Sequence, residues 1–266
     1  EGVLLRARDG VLLLCGYDLD LGITTRLPCQ IEEEGELVLP ARMLLDMARR
    51  MPDPQLLLES DAKYLTLLKS GVTEYTILGM PAEDFPELPE VRESTSITLP
   101  QPVLRSMIEQ TLFAVATTDL KPVHTGSLFE IAAGELTVVS VDGYRLAVRR
   151  ERVGVQEEVR FVVPGKTLSE ISRILSADGD ENTTIQVSKK HILFSIGSYQ
   201  VFSRLLEGDF IDYKTALPKA ASTSVRVGVR PVADAIERAS LLISDRVKSP
   251  LRMKFEGGLL KLSCST

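Results

Sequence analysis

The sequence predicts an α+β protein made of tandem domains, each with two helices packed on antiparallel sheets. Two observations lead to this fold class. Four helix patterns begin at or near Pro40, Pro100, Pro164 and Pro231, which are separated by 60, 64 and 67 residues. Short runs of alternating apolar and polar residues follow the helices, as is typical of antiparallel strands with one buried face. Such a recurring unit indicates a repeat architecture.

Each predicted helix has one apolar and one charged face. In the first, LPARMLLDMARRM, the residues Met43, Leu44 and Met47 fall on one side, and Arg42 and Asp46 fall on the other at helical spacing. Proline suits the first position of such helices because its φ is already helical and its missing N–H would have no partner there. We therefore expect the helices to begin at the prolines.

A longer period lies on top of the shorter one. Gly10, Gly134 and Gly258 sit in similar hairpin patterns and are 124 residues apart, and Pro40 and Pro164 have the same separation. The repeating unit is therefore a domain of about 125 residues made of two similar halves. Each half contains a helix and a few antiparallel strands, which gives the domain an internal pseudo-twofold repeat.

The register of this repeat sets the expected domain boundaries. We expect a first domain over residues 1–94 without its N-terminal part, a complete second domain over 95–222, and a third over 223–266 without its C-terminal part. From these boundaries we also expect that the 266-residue chain does not close a ring by itself. Unpaired sheet edges would favour a monomer or an aggregate.

Composition limits the class of protein. A chain of 266 residues with 44% hydrophobic content can bury roughly 70–75% of its unfolded surface, so its cores need no disulfides. The three cysteines lack C-x-x-C spacing, which indicates a reducing compartment rather than a disulfide framework or a zinc site. No leader pattern and no 18-residue apolar run is present, so we expect a cytoplasmic protein without membrane contact.

Charge is distributed unevenly. Helix windows 40–51, 100–114, 164–175 and 230–248 together carry +4, whereas the chain carries −6, so the remainder carries −10. Mildly basic helices in an otherwise acidic protein are consistent with one surface that faces a polyanion, while the rest of the protein repels it. The alternative is that any amphipathic helix carries charges on its wet face. Because the pI is 5.2, this pattern favours nucleic acid only slightly.

Catalytic patterns are scarce. The chain has two histidines, and His191 lies in an alternating strand pattern where it is most simply a surface residue. The segment VVPGKTLSE resembles the end of a phosphate-binding loop, but Arg160 stands where the first glycine of that loop is required. Without this glycine the backbone is not expected to form an anion-binding nest.

An acidic pair at a strand end leaves an enzyme as the alternative class. Asp18 and Asp20 in DLDLG could bind a metal, although a turn is the favoured interpretation. A metal- or nucleotide-dependent phosphate-transfer enzyme or nuclease would use this pair with the Gly165-Lys166 turn. A structural or adaptor protein that does not bind DNA is a third interpretation.

The order of several motifs resembles one known family. The succession of YDLDLGI, LPARMLLDMARRMPD, MPAEDFPELP, VSVDGYRLAV, VPGKTLSEISRIL and SRLLEGDFIDYKTALP is similar to the β subunit of bacterial DNA polymerase III, the replicative sliding clamp. The similarity runs nearly end to end. It implies tandem DNA-clamp domains in a head-to-tail homodimeric ring with helices lining the hole, no catalysis, no cofactor and no metal. It also implies a processivity factor for DNA replication.

The resemblance further implies a surface that faces double-stranded DNA without reading its sequence. Such contacts position the duplex through its phosphates. The candidate cations for this surface are Arg49, Arg50, Lys121, Lys166, Arg173 and Arg246. The alternative for each is an ordinary solvated surface charge.

A second implied site is a cleft between the second and third domains. There the replicative polymerase, the clamp loader and repair proteins would insert short peptides with hydrophobic anchors. The matching positions are Lys121, Val123, His124, Val141, Gly143, Tyr144, Arg145, Leu146, Ile211 and Ala216. A larger residue at Gly143 is expected to project into this groove. A plain core role remains the alternative for Val141 and Leu146, and His124 and Ile211 stand where the family often has leucine and proline.

The resemblance also implies a ring interface. Tyr75 and Ile77 on the last strand of the first domain, with Leu241 and Leu242 of the third, match positions that pack on the partner subunit. Exposed apolar residues on edge elements mark such association surfaces.

Overall fold

The structure is a computed structural model that describes residues 2–91, 94–118, 121–218, 220–241, 243 and 250–264. It divides into two compact units, Glu1–Tyr213 and Lys214–Thr266. Every strand pairing in the described part of the chain is antiparallel. Within the described ranges no helix combines the length and the apolar character needed to cross a membrane.

The first unit contains two successive sets of elements. The first set comprises β1 (Gly2–Arg8), β2 (Val11–Tyr17), β3 (Leu21–Pro28), β4 (Gly35–Pro40), α1 (Ala41–Ala48), β5 (Leu57–Ser60), β6 (Leu65–Ser70) and β7 (Thr73–Leu78). The second set comprises β8 (Thr95–Pro100), α2 (Gln101–Glu109), β9 (Gly126–Ala132), β10 (Glu135–Val141), β11 (Leu146–Arg152), β12 (Val159–Pro164), α3 (Gly165–Ile174), β13 (Asn182–Val187), β14 (His191–Ile196) and β15 (Tyr199–Arg204). Short 3-10 helices add Ala82–Asp84, Leu112–Ala114 and Pro122–Thr125.

The predicted repeat is confirmed by topology. Strands β1 to β4 form a sheet in the order β4-β1-β2-β3, and β9 to β12 repeat it as β12-β9-β10-β11. A helix and three strands then follow in both sets. Strands β1 and β9 begin at Gly2 and Gly126, and β4 and β12 end at Pro40 and Pro164, so both offsets are 124 residues.

The glycines that defined the 124-residue period all occupy hairpin turns with left-handed backbone. Gly10, Gly134 and Gly258 have φ of 73°, 77° and 82°. The residues before the first two, Asp9 and Ala133, both have φ of 51°, so the two turns share one geometry. A pair of positive φ values matches the twist of a two-residue hairpin, which explains why glycine recurs there.

The two sets of the first unit share one continuous sheet. Its order is β4-β1-β2-β3-β15-β14-β13-β8, and the seam between the sets is the β3–β15 pairing, where Ile23 lies opposite Val201. The predicted domains 1–94 and 95–222 are therefore joined by backbone hydrogen bonds as well as by the chain. Their boundaries stay a prediction.

The core of the second set lies between two sheets. Helices α2 and α3 pack against each other and against both the β11-β10-β9-β12 sheet and the β15-β14-β13-β8 half of the large sheet. Their inward positions are completely buried at helical spacing, namely Leu104, Met107 and Ile108 of α2 and Leu168 and Ile171 of α3. This layering is the α+β arrangement that the sequence predicted.

Three of the predicted helices begin one residue later than the sequence predicted, and the fourth begins before its proline. Pro40, Pro100 and Pro164 are N-cap residues with ψ of 114°, 139° and 139°, and each ends a strand instead of opening the helix. Their extended ψ belongs to the strand, so the first helical turn starts one residue on. The fourth helix has Gly228 as its N-cap, which makes Pro231 its third residue. A proline there still removes no helical bond, because the first four N–H groups of a helix have no internal partner.

Helix α1 is less covered than α3. Leu44 and Met47 pack on the small core of the first set, but Met43 and Leu45 are 48% and 47% exposed. The prediction that Met43 belongs to the buried face is therefore wrong for the described chain. Helix α3 packs against α2, whereas α1 is the one α-helix of its set among the described residues.

The second unit consists of a few elements. They are α4 (Tyr213–Ala216), which begins at the last residue of the first unit, α5 (Val229–Ser240), β16 (Arg252–Glu256) and β17 (Leu259–Ser263). Strands β16 and β17 form a hairpin, and α5 contacts β17.

Candidate functional sites

The first part of the candidate cleft is the 3-10 helix Pro122–Thr125. Val123 is buried, and the half-buried His124 ring stands edge-on to the Phe210 ring at a centroid distance of 5.3 Å. The Ala116 N–H donates to the His124 carbonyl at 2.8 Å, which holds the short helix beside the preceding loop. Burial, with the nearby Lys121 charge, lowers the pKa of His124 below its ordinary value of 6.5, so this imidazole is neutral at neutral pH.

The second part is the turn between β10 and β11. The Asp142 carboxylate accepts hydrogen bonds from the backbone N–H of Tyr144 at 3.0 Å and of Arg145 at 3.1 Å. The Arg145 Nε–H also donates to it at 2.8 Å, and the guanidinium lies 5.6 Å from the centre of the Phe113 ring. These bonds, first of all that from Tyr144, lower the pKa of Asp142. Gly143 has φ of 89°, and the closed turn presents a fully exposed Tyr144.

The third part is the segment 205–213, which we call the strap. It follows β15, is bonded to residues of β12 and β9, and leads to α4. At its start the Leu205 N–H donates to the Lys190 carbonyl at 2.8 Å, and the Leu206 N–H donates to the Val162 carbonyl at 2.9 Å. These two backbone bonds fix the first third of the strap.

Two side chains hold the far end of the strap. The Arg160 guanidinium donates to the Phe210 carbonyl at 3.3 Å, and the Tyr213 hydroxyl donates to the Glu130 carboxylate at 2.7 Å. Tyr213 is 3% exposed, and burial together with the Glu130 bond raises its pKa to about 12. Between these ends the strap borders a cavity of about 320 Å³ whose wall includes Arg160 and Phe210.

The structure brings several predicted cleft residues together. Val123 and His124 lie against the strap, which also carries Ile211 with 43% of its surface exposed. Tyr144 and Arg145 occupy the neighbouring turn, which reaches the 3-10 helix through Phe113 and the loop after it. Their role in binding a peptide stays a proposal.

Other predicted cleft residues differ in setting. Val141 is 7% exposed, which supports its core role, while Leu146 is half-buried and Lys121 is exposed. Ala216 is exposed and belongs to the second unit. A Cβ at Gly143 would have no atom within 4 Å, so the expectation that a larger residue projects into the groove stays a prediction. A larger residue at this position would also strain the left-handed backbone.

Sequence reasoning missed the side chains that shape this surface. The pair Asp84-Phe85 recurs as Asp209-Phe210, and this recurrence is the signal that could have assigned Phe210. No sequence pattern marked Phe113 as a surface residue, because its 57% exposure is determined by the tertiary structure. Arg160 and Tyr213 act across long sequence separations that a local pattern does not reveal.

Two DNA-facing candidates on α3 have carboxylate partners. The Lys166 ammonium lies 2.6 Å from the Asp18 carboxylate, and Arg173 lies 2.8 Å from Glu170. These exposed pairs reduce the net positive charge of α3. The first pair also connects the two repeats of the unit.

The remaining DNA-facing candidates are solvated. Arg49 and Arg50 follow the end of α1 and are exposed, and the Arg50 guanidinium donates to the Asp46 carbonyl at 3.3 Å. Lys121 is exposed before the 3-10 helix. Arg246 lies outside the described residues. Contact of any of these cations with DNA stays a prediction.

The acidic pair of the enzyme hypothesis forms a turn. The Asp18 carboxylate accepts from the backbone N–H of Asp20 at 3.1 Å and of Leu21 at 2.7 Å, as the favoured interpretation requires. Among the described residues no group of three or more His, Cys, Asp or Glu side chains could hold a metal ion. The turn does meet Lys166, but through an ion pair.

The ion pair between Asp18 and Lys166 predicts a small, pH-dependent effect. The bond to Lys166 lowers the pKa of Asp18 below 3.8, so its contribution to stability is present above pH 3.8 and is lost as the pH falls through the lowered pKa. Asp18→Asn keeps the turn acceptor and removes the charge. We expect it to lower the free energy of unfolding by less than about 1 kcal/mol at neutral pH. Urea titrations at pH 7 and pH 3 measure this, and an equal loss at both values would contradict it.

The interface candidates are only partly exposed. Strand β7 is an edge of the β5-β6-β7 sheet, and Tyr75 on it is half-buried. The expected exposure of Ile77 is wrong, since this side chain is 3% exposed and packs in the core of the first set. Alternate residues of a strand face opposite sides, so Leu78, 64% exposed, is the apolar residue that β7 presents to solvent. Leu241 is 83% exposed, and Leu242 lies outside the described residues.

Comparison with known proteins assigns this architecture. Residues 1–89 match the N-terminal domain of the DNA polymerase III beta subunit, and residues 98–212 match its central domain. The beta sliding clamp of Staphylococcus epidermidis is 31% identical over 274 residues, covering 100% of this chain and 72% of that protein. The chain belongs to the β sliding clamp family. The clamp of Bacillus subtilis is 32% identical over 251 residues, which cover 91% of this chain and 66% of that protein.

Solved clamp structures agree with this assignment. The Bacillus subtilis sliding clamp superposes with a TM-score of 0.88 at 28% identity, covering 98% of this chain and 75% of that one. The Pseudomonas aeruginosa clamp bound to griselimycin gives 0.86 at 29% identity, covering 98% and 71%. These similarities support a DNA sliding clamp that acts as a processivity factor, and they do not support the enzyme alternative. The chain spans between about two thirds and three quarters of the length of these relatives.

Proposed function

We propose that this member of the β sliding clamp family, in a ring of chains as long as its relatives, encircles duplex DNA and tethers the replicative polymerase without catalysing a reaction itself. The observation that carries the proposal is the pair of clamp repeats joined in one continuous eight-stranded sheet, with the same fold as solved sliding clamps. A continuous sheet supports the helices packed on it, and α3 carries two of the candidate DNA-facing cations, Lys166 and Arg173. The mechanism is topological, because a closed ring holds DNA without a tight contact.

Weak attraction to phosphates suits this mechanism. The candidates Arg49, Arg50, Lys121 and the paired Lys166 and Arg173 would contact the backbone of any sequence. Because two of these cations already have carboxylate partners, no single DNA contact would be costly to break during sliding. Binding should weaken steeply as salt rises, since the attraction comes largely from counterion release.

The peptide site is proposed on the surface formed by the 3-10 helix Pro122–Thr125, the β10–β11 turn and the strap. An apolar floor with a few polar groups suits an extended peptide anchored by hydrophobic side chains. The Pseudomonas aeruginosa clamp was solved with griselimycin bound, and we propose that this chain binds the same compound here. Polymerase, clamp-loader and repair peptides would use the same surface.

We propose a homodimeric ring for a chain as long as the relatives. The edge of β7 and the exposed Leu241 would contribute to its interface, and Tyr75 would pack beside them. Circular duplex that remains bound after gel filtration and is released on linearisation would support encirclement. Retention that does not depend on linearisation would contradict it.

Griselimycin titration tests the proposed function with the chain itself. Isothermal calorimetry should show one saturable site, and a shift in the pH or salt of the buffer should leave the stoichiometry unchanged. A parallel titration with magnesium and ATP tests the alternative that the protein is an enzyme. Heat or thermal stabilisation from the nucleotide, together with no response to griselimycin, would overturn the proposal.

His124 should make ligand binding sensitive to pH. Its lowered pKa keeps the ring neutral at pH 7, and acidification through that pKa places a charge beside Phe210 and the apolar anchor. We expect the affinity for griselimycin to fall as the pH decreases from 7 to 5, and His124→Leu to remove most of this dependence. Titrations of both proteins across this range measure it. Identical profiles would remove His124 from the site.

A further inference from the structure

We infer that Arg160 and Tyr213 are positioning residues for the peptide site, because they hold the strap in the place where Phe210 and Ile211 face the ligand. This inference rests on the proposed function. Neither residue belongs to the predicted cleft, and neither needs to touch the ligand. Their effect would pass through the backbone of residues 205–213.

The strap is bonded to the rest of the first unit at its start and near its far end. Backbone hydrogen bonds from Leu205 and Leu206 fix its start, and a cavity of about 320 Å³ then borders residues 205–210. A close-packed segment has its position set by many contacts, and loss of one bond moves it little. Where one side of a segment borders a cavity, fewer atoms oppose its movement, so the groups that bond it to the sheet have a larger effect on its position.

Arg160 and Tyr213 supply these bridges. The guanidinium on β12 reaches the Phe210 carbonyl at 3.3 Å, and the Tyr213 hydroxyl reaches the Glu130 carboxylate of β9 at 2.7 Å. Both partners of the strap therefore lie on neighbouring strands of one sheet. The bond from Tyr213 is the stronger, since its acceptor is charged and its ring is 3% exposed.

The pinned segment carries the residues that matter for a ligand. Phe210 lies at the Arg160 bridge and its ring meets the His124 ring at 5.3 Å, and Ile211 follows between the two bridges with its side chain 43% exposed. If the bridges are lost, the strap can move into or away from the cavity, and the Phe210 ring leaves His124. The apolar side chains of the strap would then no longer be held in one position relative to the ligand.

Two conservative variants test the inference. Tyr213→Phe removes the hydroxyl and keeps the ring, and Arg160→Gln removes the guanidinium. The matched controls are Tyr199→Phe at the start of β15 and Arg26→Gln on β3, both exposed and outside the strap. Griselimycin affinity should fall about tenfold in Tyr213→Phe, as expected for loss of one hydrogen bond to a charged acceptor. The controls should keep the affinity of the wild type.

A second measurement separates positioning from general loosening. The chain contains two histidines, and the NMR resonance of His124 senses the Phe210 ring, while that of His191 senses the Phe202 ring at 5.1 Å. In Tyr213→Phe, measured well below the melting temperature, the His124 resonance should move and the His191 resonance should stay. Both resonances unchanged, or both moved equally, would overturn the inference.

The two readouts also distinguish this inference from the proposed function. If the wild type binds no griselimycin, the proposed function fails, while the His124 resonance still decides whether Tyr213 pins the strap. If the wild type binds and Tyr213→Phe binds equally well, the strap does not position the site and the inference is wrong. Loss of affinity together with movement of the His124 resonance alone would support it.

Discussion

Replacing Phe129 by alanine should lower the free energy of unfolding by about 3–5 kcal/mol. This ring is completely buried between the sheets of the second set and stacks on Phe161 at a centroid distance of 5.5 Å. Its removal leaves a cavity in a core that two helices and two sheets enclose, so the surroundings can collapse only in part. Urea denaturation followed by circular dichroism measures the loss.

Phe113→Ala is the matched control for this experiment. The same side chain is removed, but Phe113 is 57% exposed, and the Arg145 guanidinium lies over its ring. We expect a loss of less than about 1 kcal/mol, as for most surface substitutions. Equal losses in the two variants would show that the packing around Phe129 is not what stabilises the second set.

Gly126→Ala should have the second large effect. A Cβ at this position would lie 2.3 Å from the Val163 carbonyl oxygen and 2.8 Å from Cδ1 of Leu206. The first neighbour is backbone held in the β9–β12 pairing, where Gly126 lies opposite Pro164, so it cannot rotate away. Overpacking of this kind costs about 1–3 kcal/mol or more, and it should also displace the strap at Leu206.

Gly16→Ala on β2 is the control for backbone effects. A Cβ there would meet no atom within 4 Å, and Gly16 is not among the glycines with positive φ. We therefore expect this variant to be as stable as the wild type or slightly more stable. Melting temperatures of the two variants compare them directly. A Gly126→Ala protein as stable as Gly16→Ala would contradict the close approach at Val163.

The repeat and the layering of the fold were predictable because they depend on local patterns. The alternation of apolar residues and the glycines Gly10, Gly134 and Gly258 mark strands and turns whose geometry is set within a few residues. The helix predicted to begin at Pro40 begins one residue later. Proline can occupy both a helix start and a strand end, because its φ is helical while its ψ can be extended, as it is at Pro40. The family resemblance added the identity of the domains.

The candidate site was less predictable, because its geometry depends on contacts between distant residues. The pairing of Lys166 with Asp18 joins residues that are 148 positions apart, and no helical pattern reveals it. Ile77 was expected at the surface, although its place on β7 turns it toward the core. In each case tertiary structure decides which face of a correctly predicted element is used.

The seam between β3 and β15 means that the two repeats of the first unit are connected twice. The chain links them between β7 and β8, and five residue pairs from Leu21 to Thr25 link them again across the sheet. The connecting chain also packs on β3, since a Cβ at Gly22 would lie 2.4 Å from Leu88. A protease that nicked this connection would therefore leave two fragments that remain associated, because separating them requires peeling one strand from the other.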